Sequence, residues 1–149
     1  MKVTLSIDSK EAINLNLANA VDAVCMLDDV ERHASIFSRF AEHPCCDVRI
    51  AVANNTCLSY KTLRLLARDP SIDVVCAIAN NKSALKKFNL SLFEEMVARD
   101  VSVAAALAGN LSRVDEEIRE ELMDILEAYD DPKVVNLVLD FKREQLIDF

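Results

Sequence analysis

The chain has 149 residues, of which 52% are hydrophobic, enough for one domain with a buried core. It contains one glycine, three prolines and no tryptophan. So little glycine argues against a β-rich fold and against a glycine-rich phosphate loop, because both need residues that adopt positive φ. The formal net charge of −8 argues against general nucleic-acid binding, which requires basic residues to neutralise phosphates. Composition therefore favours an all-α protein.

The N-terminal residues alternate in polarity. Val3, Leu5 and Ile7 occupy every second position, which predicts an extended segment over residues 2–8. No long apolar run follows a basic start, so we expect neither a secretory signal nor a membrane-spanning segment. The odd number of cysteines, five, indicates free thiols and a reducing, cytoplasmic location.

Two separate segments then recur with one common spacing. Residues 47–55 (DVRIAVANN) return at residues 73–81 (DVVCAIANN), 26 positions later. The same shift places residues 40–44 (FAEHP) on residues 66–70 (LARDP). Because two segments agree on one period, the sequence predicts a repeat protein in which each unit packs against its neighbours.

A third copy extends the pattern with a longer spacing. Residues 97–100 (VARD) lie 31 positions after their counterparts, and the extra residues fall at 82–88. The repeats are therefore about 26–31 residues long, within one domain that spans residues 1–149. The clearest units are 45–70 and 71–100, flanked by degenerate units at 19–44 and 101–149.

Each unit is predicted to be a short helix, a turn and a longer helix. The short helices are apolar on most sides, as expected for elements packed between neighbours. They end at Asn54-Asn55, at Asn80-Asn81 and, in the third copy, at Gly109, where asparagine or glycine would adopt the left-handed conformation that often ends a helix.

The longer helices carry start signals of their own. Ser59 or Thr56 is a candidate cap for the helix that ends at Arg68, and Ser91 with Glu94 fits a capping box for the next. Pro132 suits the first turn of the last helix.

Residues 44–81 carry a recurring pattern of a valine–arginine helix, an alanine–asparagine stop and a leucine-rich helix that ends near Asp-Pro. This pattern resembles the leucine-rich repeat variant family, a bacterial family related in architecture to HEAT-like α-solenoids. The matching residues are Pro44, Asp47, Val48, Arg49, Ala51, Val52, Ala53, Asn55, Leu63, Leu66, Ala67, Asp69, Pro70, Val74, Ala77, Ala79 and Asn81. The chain departs from the pattern at Thr56 and Lys82, where proline is common, and at Val75, where arginine is expected. The resemblance implies a right-handed stack of paired helices without enzymatic activity.

A weakly basic middle of the chain is the candidate functional surface. In α-solenoids one helix of each pair lines the face where partners bind, and arginine and tyrosine are enriched in binding hot spots. We therefore expect a protein–protein interaction scaffold that binds a protein partner, with homodimerisation also open. The candidate binding residues are Arg39, Tyr60, Lys61, Arg64, Arg68 and Arg99. Five basic and twelve acidic residues give residues 111–149 a net charge of −7, which suits a solvated helix face or a basic partner.

Two alternatives come from other functional classes. The basic residues at 61–68 could form a local nucleic-acid site, as in some HEAT-like modules. Cys45, Cys46 and Cys57 flank one short helix and could hold a metal or act in redox chemistry, although their spacing fits neither a zinc ribbon nor a common iron–sulfur motif. With two histidines the chain has no HExxH site. We expect no catalytic residues, no metal and no cofactor.

Overall fold

The computed structural model of the protein describes residues 3–7, 11–15 and 20–147, with side chains described from residue 20 onward. Between residues 20 and 147 all regular structure is helical, which confirms the predicted helical class. No helix within these described ranges is both long enough and apolar enough to cross a membrane.

A two-stranded hairpin precedes the helices. Strand β1 (Val3–Ile7) pairs antiparallel with strand β2 (Glu11–Leu15), and Val3 lies opposite Leu15. The alternation in β1 correctly predicted an extended backbone, and the ends of that predicted segment lie outside the described residues. The partner strand was missed, although Ile13 and Leu15 continue the alternation.

The described residues form nine α-helices and three 3₁₀ turns. The helices are α1 (Ala20–Met26), α2 (Ala34–Phe40), α3 (Cys46–Ala53), α4 (Tyr60–Ala67), α5 (Ile72–Ala79), α6 (Leu90–Val97), α7 (Val101–Ala108), α8 (Glu116–Glu127) and α9 (Pro132–Ile147). The 3₁₀ turns are Glu31–His33, Leu85–Lys87 and Leu111–Arg113. Pro132 is the first residue of α9, as predicted.

The predicted contrast between a short and a longer helix is wrong for the central units. Helices α3 to α7 have eight residues each. Irregular segments and 3₁₀ turns take up the residues that the prediction assigned to longer helices. The extra residues at 82–88 contain the turn Leu85–Lys87, which is held by the buried side chains of Leu85 and Phe88.

The capping chemistry explains where these helices begin. Ser59 caps α4 as predicted, because its hydroxyl accepts a hydrogen bond from the Thr62 N–H at 3.2 Å. Ser91 does not cap α6. Asn89 does so instead, since its side-chain oxygen accepts from the Leu92 N–H at 3.1 Å. The cap of α6 therefore lies two residues before the proposed one, and the helix starts at Leu90.

The helices contact one another in an alternating order. Helix α3 packs against α1 and α5, and α7 packs against α5 and α9. Helix α6 packs against α4 and α8, while a 2.7 Å hydrogen bond between Ser38 and Thr62 links α2 to α4. The central helices thus contact the helix two positions along the chain, odd-numbered with odd-numbered and even-numbered with even-numbered. The largest fully buried side chains include Phe37, Phe40, Leu63, Leu66, Ile78, Leu85, Phe93, Met96, Leu107 and Leu122.

The predicted left-handed conformation is wrong at Asn54, Asn80 and Gly109. Asn54, Asn80 and Gly109 have φ values of −79°, −95° and −70°, all right-handed. Side-chain amides act at these helix ends instead, those of Asn55 and Asn80. The Asn55 amide donates to the Ala51 carbonyl at 2.9 Å, so it satisfies one of the carbonyl groups that a helix end leaves unpaired.

Asn81, one repeat later, joins two units. Its side chain is 4% exposed, and its amide nitrogen donates to the carbonyls of Ala53 at 2.6 Å and Asn55 at 2.7 Å. Its side-chain oxygen accepts from the N–H groups of Ser83 at 2.9 Å and Ala84 at 3.1 Å. One buried amide therefore satisfies backbone groups on both sides of a unit boundary.

We predict that Asn81→Ala lowers the free energy of unfolding by about 2–4 kcal/mol, because buried backbone groups lose their partners. Asn54→Ala is the matched control. Because Asn54 is exposed, its substitution should lower the free energy of unfolding by less than about 0.5 kcal/mol. Urea denaturation followed by circular dichroism measures both. Equal stability of the two variants would contradict the role assigned to Asn81.

Candidate functional site

A groove of about 790 Å³ lies between the turn after α2 and the outer face of α4. Four of the six predicted binding residues, Tyr60, Lys61, Arg64 and Arg68, line it. The full lining is Ala41, Glu42, His43, Pro44, Arg49, Tyr60, Lys61, Arg64, Leu65, Arg68, Asp69 and Pro70.

Helix α4 presents its cations as the sequence pattern predicts. Leu63 and Leu66 are fully buried, whereas Lys61, Arg64 and Arg68 are exposed. Because residues three or four apart are neighbours on a helix surface, the three cations form one row. The outer face of α4 is therefore basic, while its inner face anchors it to the core.

The three cations differ in the side chains that they contact. Arg68 forms a two-pronged ion pair with Glu95 of α6, with distances of 2.6 and 2.7 Å. The Arg68 hydrogen bonds hold the pKa of Glu95 below its usual value. Arg64 lies over the Tyr60 ring, 5.7 Å from its centroid, in a cation–π contact. Neither Lys61 nor Arg64 forms an ion pair with any residue that the structure describes.

A largely buried ion pair fixes the floor of the groove. Arg49 of α3 binds both carboxylate oxygens of Asp69, with Nε–Oδ2 at 2.7 Å and Nη2–Oδ1 at 2.9 Å. The hydrogen bond with Asp69 raises the pKa of Arg49 further. Arg49 also donates to the carbonyls of His43 at 2.8 Å and Pro44 at 3.1 Å. The pair therefore clamps the turn at 43–44 to the equivalent turn one repeat later.

Arg99 has an equivalent structural role one unit further along. Its guanidinium donates to the carbonyls of Asp69 at 2.7 Å and Pro70 at 3.4 Å. Val75 occupies the position that corresponds to Arg49 in the next repeat. Arg99, which follows α6, binds the turn at 69–70 in place of an arginine at that position. Arg99 does not line the groove, and neither does Arg39, which is exposed on α2.

His43 is a groove residue that was not among the predicted binding residues. Its ring Nδ1 accepts a hydrogen bond from the Cys45 N–H at 3.1 Å, as the Asp69 carboxylate does from the Ser71 N–H at 2.9 Å. Burial lowers the pKa of His43, and the nearby Arg49 charge lowers it further. In the sequence repeat, His43 occupies the position of Asp69, and this correspondence was the sequence signal for the shared turn geometry.

The cysteines do not share a site. Cys45 and Cys46 lie at the start of α3, whereas Cys57 follows its end, and an eight-residue helix is about 12 Å long. The Cys57 N–H donates to Asp29 at 2.8 Å. Across residues 20–147, where side chains are described, no three histidine, cysteine, aspartate or glutamate residues cluster as metal ligands would.

Comparison with protein-family models, with curated proteins and with solved structures finds no match to this chain. The chemistry of the groove itself is the guide to function. It offers two cations without ion-pair partners among the described residues, a half-exposed tyrosine ring and Leu65, which is 45% exposed. Aromatic, arginine and apolar side chains are the groups that dominate the energetics of protein interfaces.

We predict that Asp69→Ala lowers the free energy of unfolding by about 3–5 kcal/mol, because it leaves the largely buried Arg49 guanidinium without its counter-charge. Asp73→Ala removes an exposed carboxylate and is expected to cost less than about 1 kcal/mol, from the helix dipole alone. Urea denaturation compares the two. If Asp69→Ala cost no more than this control, the ion pair would not hold the groove floor.

We predict that His43 makes the fold less stable as the pH falls. Because the folded state lowers the pKa of His43, its stabilising effect is complete above the unfolded value near 6.5 and is lost as pH falls towards the folded pKa. The substitution His43→Asn keeps an acceptor for the Cys45 N–H without a titrating group, so the variant should lose less stability between about pH 7.5 and pH 5.5.

The measurement is the free energy of unfolding in urea at both pH values. Identical pH dependence in the unmodified protein and His43→Asn would contradict the prediction.

Proposed function

We propose that this protein is a non-catalytic protein–protein interaction module that binds its partner in the α4 groove. The observation that carries the proposal is the coincidence of a groove of about 790 Å³ with the basic face of α4. Tyr60, Lys61, Arg64 and Leu65 lie together on one wall and are exposed. An exposed cluster of aromatic, cationic and apolar side chains is typical of an interaction site rather than of a solvated surface.

We further propose that the helices form a right-handed α-solenoid of the leucine-rich repeat variant or HEAT-like kind. The alternating helix contacts support this arrangement, as do hydrogen bonds that recur at nearly one repeat length. Asp29 accepts from the Thr56 N–H at 2.7 Å, 27 residues later, and the Thr56 carbonyl accepts from the Ser83 hydroxyl at 2.8 Å, again 27 residues later. Interactions between equivalent positions of successive units are the basis of stability in repeat proteins.

The composition of the groove favours a protein partner over nucleic acid. Glu42 and Asp69 line the groove together with the cations, and the Arg68 charge is compensated by Glu95. A nucleic-acid site would present a continuous positive surface to the phosphates. The mixed polar and apolar lining is better suited to a polypeptide.

The thiols support a reducing location, and we propose the cytoplasm. The cysteines, Cys25, Cys45, Cys46, Cys57 and Cys76, are all free, and cysteines remain reduced in the cytosol.

Charge reversal at the groove tests the proposed function. The intact protein, Lys61→Glu/Arg64→Glu and the control Lys86→Glu/Lys87→Glu are used as baits in host lysate. The control residues are exposed cations at a 3₁₀ turn outside the groove. We predict that a specific partner is captured by the intact protein and the control, and is missed by the groove variant.

The captured partner is then purified and titrated against all three proteins by calorimetry. Loss of two interface cations should weaken binding by about tenfold or more. Circular dichroism confirms that helix content is unchanged. Equal affinity for all three proteins would place the binding surface elsewhere.

A further inference from the structure

We propose that the α4 groove takes an extended acidic segment of a partner protein, in which two carboxylate side chains flank an apolar one. This inference rests on the proposed function and specifies the chemistry of the bound segment. It follows from the different character of the two walls of the groove and from the spacing of its free cations.

The two walls attract different side chains. Lys61 and Arg64 make the α4 wall positive and lack ion-pair partners among the described residues. The facing turn contributes Ala41 and Pro44, which are apolar, together with the carboxylate of Glu42. Acidic side chains are therefore attracted to the α4 wall and repelled from the facing turn, where an apolar side chain fits better.

The spacing of the cations suits an extended segment. Lys61 and Arg64 are three residues apart on α4, which places their Cβ atoms about 5–6 Å apart. In an extended chain, side chains two residues apart point to the same side and are about 6.6 Å apart. Two carboxylates at alternate positions therefore reach both cations, and the side chain between them faces the opposite wall.

The number of carboxylates follows from the third cation. Arg68 already binds Glu95 through two hydrogen bonds of 2.6 and 2.7 Å, which leaves two cations for a partner. The contact of Arg64 with the Tyr60 ring, 5.7 Å from its centroid, restrains the guanidinium before binding. A restrained arginine loses less side-chain entropy when it pairs with a carboxylate.

The acidic helix α8 of a second copy is a poorer occupant. Its exposed outer face carries Glu117, Glu120, Glu121 and Asp124, which would satisfy the cations. That face presents no large apolar side chain between the carboxylates to cover Leu65 and Pro44. A foreign segment with an acidic–apolar–acidic pattern matches both the charge and the apolar lining.

Three fluorescein-labelled peptides with identical glycine–serine flanks test the inference, with Glu-Leu-Glu, Gln-Leu-Gln or Lys-Leu-Lys at the centre. Binding to the full chain is measured by fluorescence anisotropy at low and high salt. We expect the Glu-Leu-Glu peptide to bind about tenfold tighter than the Gln-Leu-Gln peptide, and the difference to shrink as salt increases. The Lys-Leu-Lys peptide should bind least.

The protein variants locate the site. Lys61→Glu/Arg64→Glu should weaken Glu-Leu-Glu binding by about tenfold, whereas Lys86→Glu/Lys87→Glu should change it by less than about twofold. Amide chemical-shift changes on peptide titration should cluster at α4 and residues 41–44. Equal binding of the Glu and Gln peptides, or unchanged affinity of the groove variant, would overturn the inference.

Two further outcomes separate this inference from the proposed function. If no peptide binds but the groove variant still loses the captured partner, the acidic segment is wrong and the interaction module stands. If neither effect is seen, both proposals fail. Sedimentation of the protein alone measures self-association. Self-association that is abolished by Lys61→Glu/Arg64→Glu would assign the groove to a second copy and overturn the inference.

Discussion

Helices of eight residues are too short to persist alone in water, so each central helix of this protein depends on its neighbours. Helix α5 is buried between α3 and α7, and Val74, Val75 and Ile78 are fully buried there. Because each central helix contacts the helix two positions along the chain, it is buried only when that neighbouring helix is in place. Even the groove depends on this packing, since α4 holds its basic face outward only because Leu63 and Leu66 are anchored in the core.

Apolar burial alone does not set how the units align, because apolar contacts are not directional. Polar side chains at the two ends of the odd-numbered helices supply that specificity. At one end Arg49 joins the turn at 43–44 to Asp69, and at the other Asn81 joins its own turn to the end of α3. The first of these contacts also shapes the candidate site, because the turn that Arg49 holds is the wall opposite the basic face of α4.

Features that depend on local sequence were predictable, whereas those that depend on distant partners were not. The Ser59 cap and the outward face of Lys61 follow from spacing and side-chain chemistry within a few residues. The role of Arg99 could not be found this way, because its carbonyl partners lie 29 and 30 residues earlier. Asn80 illustrates the same limit. In place of the expected left-handed cap, its side chain donates to the Cys76 carbonyl of its own helix at 2.9 Å and accepts a 3.0 Å bond from Asn110, 30 residues later.

The link between α3 and the turn after α5 can be observed directly by nuclear magnetic resonance. The Asn81 side-chain amide should show scalar couplings through its hydrogen bonds to the carbonyl carbons of Ala53 and Asn55, 28 and 26 residues earlier. Its protons should also exchange slowly with water, because the side chain is buried. Absence of these couplings, together with rapid exchange of the Asn81 amide, would contradict the contact by which Asn81 joins the turn after α5 to the end of α3.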